Sequence, residues 1–392
     1  MISAVDIYKK YQAQTFPYPS LLEVEKAEGS YIFDTNNKKY LDFIAGVSAT
    51  SIGHSNQEVI KAVKSQIDKY THVMVYGEYV QKPQYKLAKL LSDNLPNTLS
   101  TTYFTNSGTE AIEGAMKLAK RINGRSEIIY FKDSYHGSTQ GSLSVMGNEF
   151  YKAKYRPLLP NCKQIEFNNI SSLNNISKKT SAVIVETIQG ASGFKVANDN
   201  FLIELEKKCK EFDVLIIMDE IQTCFGRTGK LMGFENTPIV PDILCIAKGM
   251  GGGFPIGAFI SSWENMNKLT FNPKLGHITT FGGHPVNCAA SYATLKYILK
   301  NEIIEVIDKK ENLFRKLLVH HKIKSITGKG LMLSIDLNDE DEANKLVEKC
   351  MQDGLLLFFF LFNNSSVRIS PPLTISFDEI EKGCNIILKN LN

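Results

Sequence analysis

Between about residues 100 and 260, short apolar runs alternate with stretches of helical periodicity, the pattern of helices packed on a largely parallel sheet. It predicts strands at 102–105, 127–131, 181–186, 214–218, 243–247 and 257–260. Over 109–122, Ile112, Ala115, Ala119 and Ile122 fall on one helical face, which should pack against that sheet. After Gly283 the style changes: helices are predicted over 288–300 and 304–318, an apolar strand over 331–337, a helix over 341–350, short strands near 355–362 and 367–369, and a closing helix over 377–388. Near the N-terminus, apolar segments 31–34 and 39–43 flank Thr35-Asn36-Asn37-Lys38, a hairpin that should join the same small C-terminal unit. The expected division is an N-terminal segment 1–55 contributing to a small domain, a large α/β domain 56–285, and a C-terminal small domain 286–392.

Length agrees with this division, because 392 residues exceed the size at which a single core keeps growing. With 43% hydrophobic and 22% charged residues the chain reads as an ordinary globular protein. A formal net charge of +4, with Lys and Arg scattered among acids, gives no reason to expect a nucleic-acid partner. The start, Met1-Ile2-Ser3-Ala4-Val5-Asp6, lacks the basic flank and apolar core of a secretory signal. The longest apolar run, 355–362, is far shorter than the roughly 20 residues of a membrane span. The expectation is a cytoplasmic protein with no membrane partner. Seven cysteines, widely spaced and without a Cys-x-x-Cys pair, predict neither disulfides nor zinc.

The chemistry-bearing residues change the picture more than composition does. Lys248 ends the predicted strand 243–247 and opens a loop rich in glycine, where partial desolvation would lower its pKa and make a nucleophilic, Schiff-base-forming amine; the plain alternative is a solvated lysine at a strand end. In Asn106-Ser107-Gly108-Thr109-Glu110-Ala111, a strand gives way to a helix through small residues whose N–H and hydroxyl groups could converge on a phosphate, or could simply cap the helix. Asp219 closes the apolar strand 214–218 at the ligand-binding edge of the sheet. There it could keep a heterocyclic nitrogen protonated or act as a cap; no Walker-type loop supplies the nucleotide that a magnesium ligand would need. Tyr135 and His136 follow the strand 127–131 and offer a flat face for a ring, or core packing. Phosphate turn, ring face, carboxylate and lysine at one sheet edge together fit pyridoxal 5′-phosphate.

With these segments in view the chain resembles the class III aminotransferases of the fold-type I pyridoxal-phosphate superfamily. The resemblance rests on NSGTEA (106–111), YHG (135–137), ETIQG (186–190), DEIQTCFGRTG (219–229), AKGMGGG (247–253), TTFGGHP (279–285) and VRISPPLTIS (367–376), and runs over essentially the whole chain. It implies a mostly parallel seven-stranded sheet between helices, plus a small α/β domain built from both termini. Lys248 would be the Schiff-base lysine and proton carrier, Asp219 the partner of the pyridine nitrogen and Gln222 that of the phenolic oxygen. Tyr135 would stack on the ring with His136 beside it. Ser107, Gly108 and Thr109 would cradle the phosphate, and Thr280 would reach the phosphate of the neighbouring subunit, making a homodimer with shared active sites. Arg368 matches the arginine that clamps a substrate carboxylate, and Glu186 matches an acid that in some relatives pairs with that arginine as a gate.

The same comparison exposes departures. Ser138 stands where acetylornithine, ornithine and many 4-aminobutyrate enzymes carry an arginine for the distal carboxylate. Thr187 and Ala191 replace a usual proline and glutamate, Ile112 a common asparagine, and His284 a frequent asparagine. The implied activity is ping-pong transfer from an ω-amino donor to a 2-oxo acid, 2-oxoglutarate first among them. Acetylornithine or ornithine is the leading donor, with 4-aminobutyrate, lysine or a diamine as alternatives, and an aminomutase or decarboxylase on the same fold as the competing class.

Overall fold

The computed structural model describes residues 2–392. Its centre is a seven-stranded sheet in the order Thr101–Thr105, Gly257–Ser261, Ile243–Ile246, Leu215–Asp219, Thr180–Glu186, Glu127–Phe131, Cys162–Ile165. All strands run parallel except Gly257–Ser261, which is antiparallel to both neighbours. Thr180–Glu186 and Ile243–Ile246 are buried throughout, as continuous apolar strands covered on both faces must be. Each of the six strands predicted from periodicity is present, with ends shifted by one residue at most. The seventh, Cys162–Ile165, escaped prediction because only Ile165 is buried on this edge strand and its middle pair is the exposed Lys163-Gln164.

The helix Gly108–Asn123 lays Ala111, Ile112, Ala115 and Ala119 against one face of the sheet, packing on Phe259, Ile217 and Cys245. Its left-handed cap at Gly124 stops it where the sequence places a glycine. On the other face Phe201, Leu202 and Leu205 of the helix Asp199–Phe212 meet Phe131, Val183 and Ile216. Two helices that the pattern had not given, Gln57–Ile67 and Lys82–Ser92, pack against Pro285–Lys300.

Both ends of the chain meet in a second sheet. The predicted hairpin is Tyr31–Asp34 with Lys39–Asp42, its turn held by Asp34 Oδ1 accepting from the N–H of Asn36 and Lys38, and Lys39–Asp42 pairs in parallel with Leu355–Leu356. A third sheet runs Ser325–Lys329, Met332–Asp336, Ser366–Ile369, Phe358–Phe359. The apolar run 355–362 is therefore not one strand: it leaves one sheet after Leu356 and enters another at Phe358. Likewise the predicted strand 331–337 is one arm of a hairpin, Ser325–Lys329 with Met332–Asp336. All seven cysteines are free thiols, six of them buried. Among the described residues no helix is long and apolar enough to cross a membrane.

Candidate active site

Loops leaving the carboxyl ends of five parallel strands border one cavity of about 780 Å³, into which the sequence brings Lys248, Asp219, Glu186, Tyr135 and the 107–109 turn. That convergence follows from the parallel topology, which puts every strand's carboxyl end on the same edge.

At the phosphate turn, Ser107 caps the helix Gly108–Asn123 by accepting from the Glu110 N–H at 3.3 Å. Glu110 in return holds the Asn106 N–H and side-chain amide at 2.8 and 2.9 Å. The N–H groups of Gly108 and Thr109 donate to no protein acceptor among the described residues and stand at the positive end of the helix. A side chain at Gly257 would lie 2.4 Å from the Ser107 carbonyl, so glycine there lets the neighbouring strand close against the turn. Thr109 Oγ1 sits 2.7 Å from Thr139 Oγ1 and 2.6 Å from Ser142 Oγ, tying the turn to the loop after Ser138.

Asp219 and His136 form a buried pair, Oδ2 to Nδ1 at 2.7 Å, while Asp219 Oδ1 accepts from the Ile221 N–H. Burial alone would lower the His136 pKa, but the hydrogen bond and charge of Asp219, with Glu186 nearby, outweigh it and hold it above its ordinary value. The Nδ1 edge of His136 is thus committed to Asp219, which it orients, while both His136 and the half-buried Tyr135 border the cavity.

Lys248 is enclosed in left-handed backbone, φ +45°, directly before the glycine loop. Burial, reinforced by the charge of Arg368 and partly offset by Asp219 and Glu186, pushes its amine down to about 8. Its Nζ lies 3.4 Å from Gln222 Oε1, and the Gln222 amide donates to Ser48 Oγ at 3.2 Å. Ser48 belongs to a feature that sequence reasoning missed. Residues 45–48 all have positive φ, and Val47 and Ala49 border the cavity. Asp42 Oδ1 anchors this turn by accepting from the N–H of Ile44 and Ala45. Its one sequence signal was Gly46.

Arg368 is buried, with its guanidinium 4.7 Å from the ring centroid of Phe360 and 5.5 Å from that of Phe194. Only Nη2 approaches a protein acceptor, the Gly190 carbonyl at 3.5 Å; Nε and Nη1 have none. The expected pairing with Glu186 is absent. That acid accepts from the Tyr135 N–H at 3.1 Å and the Gly190 N–H at 2.8 Å instead. Ser138 is exposed, 3.2 Å from the Tyr135 hydroxyl, and Lys248 and Arg368 are the only lysine and arginine bordering the cavity among the described residues. Thr187 bonds the buried Glu220, which gives that departure a structural role. Thr280 is exposed and does not border the cavity of its own chain. Phe358, Phe359 and Leu361, from the split apolar run, form part of its wall.

These groups fit pyridoxal 5′-phosphate: unpaired N–H groups at a helix start for the phosphate, a fixed carboxylate for the ring nitrogen, and a part-buried amine of lowered pKa. When bound, the cofactor supplies the carbonyl that takes up an amino group and the ring that delocalises the electron pair left on the substrate carbon.

Comparison with known proteins agrees. The family described as Aminotransferase class-III matches residues 13–391. An acetylornithine aminotransferase of Caldanaerobacter subterraneus is 38% identical, covering 97% of this chain and 96% of its own. A [LysW]-aminoadipate semialdehyde/glutamate semialdehyde transaminase of Sulfolobus acidocaldarius is 34% identical, covering 94% and 95%. Among solved structures, the ornithine aminotransferase of Toxoplasma gondii superposes with a TM-score of 0.91 at 26% identity, over 99% of this chain and 94% of that one; another structure of that enzyme reveals partial occupancy of PLP at the active site. The adenosylmethionine-8-amino-7-oxononanoate aminotransferase of Methanocaldococcus jannaschii gives 0.91 at 30%, over 98% and 97%. The chain belongs to the class III aminotransferases, pyridoxal-phosphate enzymes of fold type I.

Proposed function

We propose that this aminotransferase takes the amino group of an ω-amino donor of the acetylornithine and ornithine type and passes it to a 2-oxo acid, 2-oxoglutarate first among the acceptors. The observation that carries the reading is the buried guanidinium of Arg368, with Nε and Nη1 unpartnered, bordering the same cavity as Lys248 and Asp219: a cation suited to a carboxylate beside a nucleophilic amine. In this reading Lys248 binds the cofactor and then moves the proton at the substrate's amine-bearing carbon. Asp219, oriented by His136, holds the pyridine nitrogen; Gln222 meets the phenolic oxygen; Tyr135 covers the ring; Ser107, Gly108 and Thr109 take the phosphate. The proposal includes a cytoplasmic homodimer in which Thr280 serves the partner's site, and the division 1–55, 56–285 and 286–392. Acetylornithine and ornithine lead among the donors because they are the donors the sequence resemblance implies, and two relatives carry them in their names.

A donor panel tests it. Purified holoenzyme is given acetylornithine, ornithine, 4-aminobutyrate, lysine or putrescine with 2-oxoglutarate, and glutamate is measured. Glutamate formation dependent on an ω-amino donor is expected. Turnover of an amino substrate without any 2-oxo acid would replace the transferase reading with an intramolecular one.

A further inference from the structure

We infer that Ser48, which stands behind the cavity wall, is a positioning residue for Gln222: it tethers the Gln222 amide so that one N–H is left for the phenolic oxygen of the cofactor. The inference rests on the proposed assignment of Gln222 to that oxygen and names the group that holds it there.

Ser48 is 1% exposed and does not border the cavity, so it reaches the site only through another side chain. Its Oγ accepts from Gln222 Nε2 at 3.2 Å. An amide nitrogen carries two hydrogens, and among the described residues Nε2 has no second acceptor. At the other end of the amide, Oε1 faces Lys248 Nζ at 3.4 Å; an ammonium can only donate, so this contact decides which end is oxygen. Once the lysine is committed to the cofactor, no ammonium stands behind that contact. Ser48 is then the remaining partner that restrains the terminal amide torsion, which is broad and roughly two-fold by itself.

The backbone is built to present this hydroxyl. Ala45, Gly46, Val47 and Ser48 have φ of +49°, +58°, +58° and +68°, a left-handed run in which only the glycine is at ease. Such a run persists where its surroundings over-determine it. Asp42 Oδ1 accepts from the N–H groups of Ile44 and Ala45 at 2.7 and 3.0 Å, and Asp42 Oδ2 lies 2.7 Å from His54 Nε2. The Ser48 N–H donates to the Ile44 carbonyl at 3.1 Å, and Ser51 Oγ donates to the Ser48 carbonyl at 3.3 Å. The turn also presses on the loop that carries Lys248, because a side chain at Gly249 would collide with Ser51 Oγ. Val47 and Ala49 border the cavity on either side of Ser48. The turn thus builds wall with its apolar side chains and supports Gln222 with its polar one.

Spectroscopic titration of the holoenzyme tests this without any turnover, so the identity of the donor does not enter. Wild type, Ser48→Ala, Gln222→Ala and the double variant all keep Lys248, Asp219, His136, Glu186 and Arg368, the charged groups around the cavity, so differences between them arise from neutral hydrogen bonds. A donor on the phenolic oxygen favours its unprotonated form, and losing it moves the pH midpoint of the resting cofactor's visible absorption upward. S48A and Q222A are each expected to raise the midpoint by about half a unit to one unit, the size of one neutral hydrogen bond. Added to Q222A, S48A is expected to change nothing further, because it acts through the missing amide. Ser48→Gly lacks the hydroxyl and suits φ +68°, so it should repeat the S48A shift, and it carries the comparison if S48A does not fold. A raised midpoint in Q222A beside an unchanged one in S48A would overturn the inference and leave the assignment of Gln222 standing. An equal shift from S48A with and without Gln222 would also overturn it. An unchanged midpoint in Q222A would remove the assignment of Gln222 and the inference together.

Discussion

Lys248 illustrates how a single residue trades stability for chemistry. An ammonium ion enclosed by protein is disfavoured, and here the balance leaves the amine at about 8 where a solvated lysine titrates near 10.5. The penalty is complete below pH 8, where the folded protein still carries the proton, shrinks between pH 8 and 10.5, and vanishes above that range. From this gap the net penalty on the charged amine is about 3 kcal/mol at pH 7. Lys248→Met in the cofactor-free enzyme should therefore raise its unfolding free energy at pH 7 by up to that amount, an advantage that fades toward pH 10 in chemical denaturation, while transfer is abolished. The same shift sets the loading rate: reconstitution of apoenzyme with pyridoxal phosphate should quicken as pH rises through about 8, where the nucleophilic amine becomes the major form, and then level off. A loading rate still climbing at pH 10 would mean the lysine is solvated. That Lys248, Asp219 and Arg368 would meet in one cavity was legible in the sequence, because a lysine or acid at a strand end and an arginine in an apolar strand stand out by their own chemistry. The hydrogen-bond partners of His136 and Glu186 were not, because each depends on which atom a folded neighbour presents: Asp219 Oδ2 to the first, the Tyr135 and Gly190 N–H groups to the second.

At the scale of elements, the site depends on how closely the helix Gly108–Asn123 approaches the sheet. Gly114 sits in its middle, where alanine would ordinarily gain roughly 1 kcal/mol of helix propensity. Here an added Cβ would stand 2.3 Å from Cε1 of the fully buried Phe259, on the antiparallel strand Gly257–Ser261. Overpacking of this kind costs about 1–3 kcal/mol and outweighs the propensity gain. Gly114→Ala should thus be net destabilising in denaturant titration by about 1 kcal/mol or more. Because the helix must shift to relieve the contact, its exposed N–H groups at Gly108 and Thr109 should also hold pyridoxal phosphate several-fold less tightly; a stabilised variant with unchanged cofactor affinity would refute the close-approach account. Elements that bury a whole face were readable from periodicity, as the helix 109–122 and the apolar strands show. Cys162–Ile165 buries a single residue and left no pattern, and the run 355–362 kept one unbroken apolar signature while its backbone crosses between two sheets. The left-handed turn at 45–48 was invisible for a different reason: only Gly46 is permissive there, and the other three residues are held by the surrounding fold.

At the scale of the whole molecule, the proposed homodimer assigns Thr280 to the phosphate site of the partner chain. Thr280 is exposed, lies outside the cavity of its own chain, and stands between Ile278 and Phe281, both more than half exposed. Exposed apolar side chains of this kind are what a second copy would cover in the proposed homodimer. If Thr280 works across that interface, subunit mixing should reveal it. A Lys248→Ala homodimer has no nucleophile in either site, and a Thr280→Ala homodimer keeps its lysines but should bind cofactor several-fold more weakly. In a heterodimer of the two, the only site with a lysine lies in the Thr280→Ala chain, and the Thr280 reaching it across the interface comes from the other chain and is intact. Mixing the variants under exchange should therefore create a population of active sites with wild-type affinity for pyridoxal phosphate, read as activity regained at low cofactor concentration. Were Thr280 to act within its own chain, every lysine-bearing site in the mixture would still carry the Thr280→Ala defect, and the cofactor dependence of the mixture would match that of the Thr280→Ala homodimer alone.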